Sequence, residues 1–153
     1  MMDFPPISEL VPHKPPMVLL DRVLSYSTDF VCCEVEIRVD SAFVQRDGDD
    51  NGAGGVPALV GMEYMAQCVA VFAGLSARES GQPARIGLLL GSRDLRFDAD
   101  LFPVGDRLTV EARKTWGENI LGSFACRVLR GAEVLVQGTL NVYQGEPPEL
   151  VSR

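Results

Sequence analysis

The chain has 153 residues, a formal net charge of −7 from 14 Lys/Arg and 21 Asp/Glu, and 46% hydrophobic against 23% charged residues. That balance marks one folded domain, 1–153, long enough to bury a sizeable core. No basic cluster exceeds the pair Arg113-Lys114, which excludes a nucleic acid as the main partner.

In chain order, the segment MMDFPPISELVPHKPP lacks the basic n-region and apolar stretch of a signal peptide, and no run approaches the roughly 20 apolar residues of a membrane span. No membrane span and a cytoplasmic location are therefore expected. Pro16 to Tyr26 reads as a first strand. In Val31 to Val39 the odd positions Val31, Cys33, Val35, Ile37 and Val39 are apolar and Glu34, Glu36 and Arg38 alternate with them, the period of a half-buried strand. The Asp/Gly-rich stretch Asp47 to Gly55 reads as a flexible loop.

Next comes a helix predicted from about Pro57 to Ser76, in which Glu63, Gln67 and in part Tyr64 are the only polar positions between Val56 and Leu75. A helix apolar all round is normally enclosed by other elements. Arg85 to Phe97, Arg107 to Trp116 and Ala132 to Tyr143 again look like strands. Turn signals at Gly117-Glu118-Asn119 and Arg130-Gly131 imply consecutive antiparallel hairpins. The economical α+β packing is an antiparallel sheet of about six strands wrapped around one central helix.

Four cysteines without metal-ligand spacing, a single histidine, and the absence of CxxC, Walker A and GxGxxG patterns leave neither metal nor cofactor expected. Glu63, set among Val60, Met62, Met65 and Ala66, is expected to be desolvated, with a raised pKa suited to a general acid; the plain alternative is a structural carboxylate. Gln67, one turn on, can hydrogen-bond that carboxylate or a neighbouring segment. His13 stands in VPHKPP, where prolines stiffen the backbone. Backbone N–H groups at the helix start, near Pro57 and Ala58, are available to polarise a carbonyl.

The segments LVPHKPPMVLLDRV (Leu10 to Val23), VPALVGMEYMAQ (Val56 to Gln67) and IGLLLGSRDLRFDADLFPVGDRL (Ile86 to Leu108) resemble, in that order, the hot-dog-fold 3-hydroxyacyl-[acyl-carrier-protein] dehydratases. The helix variant is most similar to the dehydratase-like proteins of aryl polyene biosynthesis. The resemblance implies a hot-dog fold, two copies pairing their sheets into a homodimer or a larger assembly of dimers, and an acyl carrier protein as partner; a heterodimer is the alternative. It also implies removal of water from a (3R)-3-hydroxyacyl thioester to give the trans-2-enoyl thioester, with Glu63 as acid and the Ala58 N–H facing the thioester carbonyl. Leu88, Leu89 and Leu90 would line an acyl tunnel, and Lys14, Arg85, Arg93 and Arg96 would receive the acidic carrier.

The family takes its base from a histidine in a "GHFPG" loop, from the other subunit. That loop here carries no histidine: alignment puts Asp47 or Asp49 in its place. Three readings stay open, with His13 as base, Asp47 as base, or a non-catalytic acyl-binding partner of an active dehydratase. His13 is preferred because imidazole titrates near neutrality. A hot-dog thioesterase, in which water attacks the same thioester, is the enzymatic rival.

Overall fold

Residues 3–45, 54–83, 86–118 and 120–145 are described in the computed structural model. The elements are β1 (Arg22–Ser27), β2 (Phe30–Glu36), β3 (Gly55–Pro57), a 3-10 turn (Ala58–Val60) running into α1 (Gly61–Glu79), β4 (Ile86–Phe97), β5 (Leu101–Pro103), β6 (Arg107–Glu118), β7 (Leu121–Arg130) and β8 (Glu133–Gly145). Six strands form an antiparallel sheet in the order β1-β2-β6-β7-β8-β4, and α1 lies against its inner face. This is the helix-in-sheet arrangement expected of a hot-dog fold. The β6–β7 hairpin stays paired through Gly117 to Glu118↔Leu121, and the β7–β8 hairpin turns at the expected Gly131, which has φ +59°.

Alternation decides the faces. In β2 the residues Val31, Cys33 and Val35 are buried, and in β6 Leu108, Val110 and Ala112 are fully enclosed, because successive side chains of a strand point to opposite sides. They meet Cys68, Val71 and Phe72 of α1, with Phe72 edge-on to Phe124 of β7 at 5.4 Å. The helix stops at Gly81 (φ +70°), whose N–H and that of Gln82 bond back to the carbonyls of Arg78 and Ala77. Glycine alone takes this left-handed conformation without steric cost, and the two bonds satisfy carbonyls that the helix end would otherwise orphan.

Several expectations are corrected. Strand pairing begins at Arg22 rather than Pro16: residues 10–21 form a strap over α1 in which Met17 and Leu19 bond to Gln67 of the helix, and only Asp21, at its end, bonds to β2, through Glu34 and Glu36. Val39 lies beyond β2 and is 61% exposed. The span Ala58–Glu79 has a mean hydropathy of 1.5 and is long and apolar enough by composition to cross a membrane, yet 61% of that window is buried inside the fold, as befits a core helix. Gly55, assigned from sequence to a loop, is packed in the small β3–β5 ribbon, where a Cβ would collide with the carbonyl of Phe102.

The helix is also not enclosed on all sides. Its closest packing is against β6, β2 and β7, and it touches β4 and β8 only lightly. On that side run Ala66, Ala70 and Ala73 at helical spacing, followed by Gly74. Small side chains there keep a gap open. Gly74 lets the backbone of Leu10 lie directly on the helix: a Cβ would strike the Leu10 carbonyl oxygen.

Two outcomes follow. Gly74→Ala gains about 1 kcal/mol of helix propensity but drives a methyl into an immobile carbonyl, so a net loss of about 2 kcal/mol and a fall in Tm of about 4–8 °C are expected by calorimetry. Burial pushes the Cys126 thiol up to about 12 and, with Glu111 beside it, Cys32 to about 11. At pH 8 thiol reagents should therefore leave both cysteines nearly untouched until denaturant exposes them.

Candidate active site

The gap between α1 and the β4/β8 end of the sheet is a groove of about 330 Å³, walled by Ala66, Ala70 and Ala73 on the helix, by Leu89 and Val142 on the sheet, and by Leu10 to His13 of the strap. His13 and Glu63 stand at the end where α1 begins. Their side chains, 29% and 39% exposed, bring Nε2 of the imidazole within 3.4 Å of Oε1 of the carboxylate.

Gln67 makes that meeting possible. It is fully buried, and its amide is used on every side: Nε2 donates to the Met17 carbonyl at 2.7 Å and to Glu63 Oε1 at 3.2 Å, while its Oε1 accepts the Leu19 N–H at 2.9 Å. The bonds to Met17 and Leu19 hold the strap on the helix, and the third aims the carboxylate. Buried Ile7, Leu10, Val11 and Leu20 secure the strap further, so His13 sits between two anchored stretches. Its Nδ1 is buried with no hydrogen-bond partner among the described residues, which leaves Nε2 as the nitrogen that reaches the groove.

The sequence expectations fare unequally. His13 and Glu63 come together within one chain. Glu63 is half-exposed rather than buried, because it lies on the helix face that the sheet leaves open; the expected full desolvation is corrected. The Ala58 N–H is not available to a substrate, since it donates to the Asp100 carbonyl at 2.9 Å. Of the three leucines Leu89 lines the groove. Leu88 pairs with Tyr143, one position from inward-facing Val142, so it points to the outer face, and Leu90 sits at a bulge, 61% exposed.

Lys14 is exposed beside His13. Arg93 and Arg96 pair with Thr139 and Gln137, which alternate with buried Leu140 and Val136. Both arginines therefore stand on the outer face, away from the groove, and form no patch with Lys14. Asp47 and Arg85 lie outside the described residues, as does Asp49. No cluster of three His, Cys, Asp or Glu residues among the described ones is placed to hold a metal. The helix was expected to line the tunnel with its apolar face, but sequence reading missed the strap and did not single out Ala66, Ala70 and Ala73 as the wall; the spacing of those alanines was the visible signal.

Comparison with known proteins finds a match to the ApeP-like family model, described as ApeP dehydratase, over residues 5–152. The 3-hydroxyacyl-[acyl-carrier-protein] dehydratase FabZ of Chlamydia trachomatis serovar L2 is 28% identical over 137 residues, 88% of this chain and 87% of that protein. FabZ of Anaeromyxobacter dehalogenans is 29% identical over 116 residues, 75% and 72% of the two chains. Among solved structures, the dehydratase heterocomplex ApeI:P from Xenorhabdus doucetiae superposes with a TM-score of 0.86 at 31% identity, covering 97% of this chain and 96% of the other.

Replacing Gln67 by Leu keeps its volume but orphans the Met17 carbonyl and the Leu19 N–H at once. A loss of about 3 kcal/mol is expected in denaturant titrations, together with faster amide exchange at Leu19 than in the parent.

Proposed function

The chain belongs to the ApeP-like dehydratase family, and from that premise we propose that it dehydrates a (3R)-3-hydroxyacyl thioester, borne by an acyl carrier protein, to the trans-2-enoyl thioester. The observation that carries this reading is the 3.4 Å approach of His13 Nε2 to Glu63 Oε1 at the mouth of an apolar groove. Elimination of water needs a base for one proton and an acid for the departing hydroxyl, held close together.

In the proposed step Nε2 of neutral His13 takes the proton from C2, and that electron pair forms the C2=C3 bond. The C3–O bond breaks as protonated Glu63 delivers its proton to the leaving oxygen, which departs as water. The site is left with an imidazolium beside a carboxylate. Both stand at the groove mouth, 29% and 39% exposed, so solvent takes the proton from the imidazolium and returns one to the carboxylate, and both groups are restored. Gln67, bonded to Glu63 Oε1, holds the carboxylate in register throughout.

The rest of the chain supports an extended acyl substrate. The groove is lined mainly by apolar and small residues, and the exposed Lys14 next to His13 offers an acidic carrier protein a local cation in a chain of net charge −7. The free edge of β4, with Leu88, Leu89 and Leu90 46–61% exposed, is the natural place for a second hot-dog chain to continue the sheet. By analogy with the heterocomplex from Xenorhabdus doucetiae, that chain is proposed to be a different dehydratase-fold subunit, with aryl polyene biosynthesis as the pathway and the cytoplasm as the compartment. The lack of a histidine between Phe43 and Glu63 favours one rival reading, in which this chain binds the acyl group and the partner supplies the chemistry.

Enoyl-thioester formation from a 3-hydroxyacyl carrier substrate, followed by mass spectrometry with and without the partner subunit, separates these readings. Glu63→Gln and His13→Ala are each expected to lower turnover by roughly two to four orders of magnitude with the fold intact, and Asp47→Asn to have little effect. Full activity in His13→Ala would remove it as the base; loss in Asp47→Asn would transfer the role there. Free acid in place of enoyl product would make the protein a thioesterase.

A further inference from the structure

The groove does not end in the core. Beyond Ala73 and Gln144, which wall both spaces, lies a second hollow of about 230 Å³ near the end of α1, bordered by Ser76, Ser80, Gln82 and Lys114. Thirteen residues of helix separate Glu63 from Ser76, so this chamber lies about 20 Å from the proposed reaction centre, measured along the axis. The walls change character on the way, from alanines and Leu89 at the near end to a mixed lining at the far end, where amide, hydroxyl and ammonium groups stand beside Phe72, Ala77 and Pro83.

Lys114 is the unusual member. It follows Leu108, Val110 and Ala112 in the inward-facing row of β6, all 0% exposed, and its cross-strand partner Phe124 is also 0% exposed. That position calls for an apolar side chain. The side chain instead folds over Gly117, which has none of its own to obstruct it, and the residue is half-buried. The nearby acids have other partners: Asp29 faces Arg113 at 3.8 Å, and Glu79 accepts from Tyr26 at 3.3 Å. Among the described residues no carboxylate pairs with Lys114.

An inward-pointing ammonium at the far end of an apolar groove suits a ligand that is apolar along its length and carries an acceptor at its tip. We propose that the Lys114 chamber is a subsite for an oxygen acceptor at the distal end of the acyl chain, with Gln144 as a second donor, so that the protein selects polar-ended over methyl-ended chains. This rests on the acyl-binding reading above and adds the identity of the chain terminus. A methyl terminus would strip water from Lys114 and return no hydrogen bond, a penalty that a chain bearing an acceptor avoids.

The test uses non-cleavable acyl-pantetheine thioethers of equal length ending in methyl, hydroxyl or carboxylate, with Kd measured by calorimetry on the full chain. The parent should bind one or both oxygen-ended probes at least about tenfold more tightly than the methyl-ended one; the hydroxyl and carboxylate arms distinguish a hydrogen bond from an ion pair. Lys114→Met should erase the preference, and Lys114→Arg should retain it. Equal binding of all three probes by the parent, or a preference undiminished in Lys114→Met, overturns the subsite. Turnover of a methyl-ended 3-hydroxyacyl substrate, assayed in parallel, reads the dehydratase proposal separately: turnover without terminal preference defeats the subsite alone, whereas neither binding nor turnover defeats both.

Discussion

The buried amide of Gln67 is the contact on which the site depends. A polar group at 0% exposure on a core helix is destabilising unless its hydrogen bonds are made, and here they are made to three different places: the Met17 carbonyl, the Leu19 N–H and the Glu63 carboxylate. The same requirement that keeps the core stable thereby ties an otherwise unpaired strap to the helix and orients an acid. His13 reaches the groove because the strap is fastened on both sides of it.

The groove has a similarly simple origin. A helix packed evenly in a curved sheet would leave no space, but α1 presents bulky residues to β2, β6 and β7 and alanines to β4 and β8. Side-chain volume, rather than any break in the backbone, makes the groove. Gly74 then allows the strap backbone to close one side of it. Stability and site are thus coupled through neighbouring residues of a single helix, with the chemical groups in its first turns and the polar chamber near its last.

Placement of imidazole and carboxylate in one chain departs from the pattern of the dehydratases that the sequence resembles, where the two come from different subunits. The strap histidine approaches the helix glutamate from the side of its own chain. Both groups of the proposed elimination stand 3.4 Å apart within one chain.

Much of this was legible in the residues themselves. Period-two alternation located β2, β6 and β8, the long apolar run located α1, and the spacing of Glu63 and Gln67 put them on one face, because local periodicity depends only on backbone geometry. The sequence alone also singled out His13 and Glu63. It could not place them in contact, for they are fifty residues apart and meet only through bonds between strap and helix. Nor could it show that the Ala58 N–H is already engaged by Asp100, that Arg93 and Arg96 turn away from the groove, or that Lys114 points inward. Each of these depends on register across strands or on which side of α1 the sheet leaves open, and such relations arise from long-range packing that no local pattern encodes.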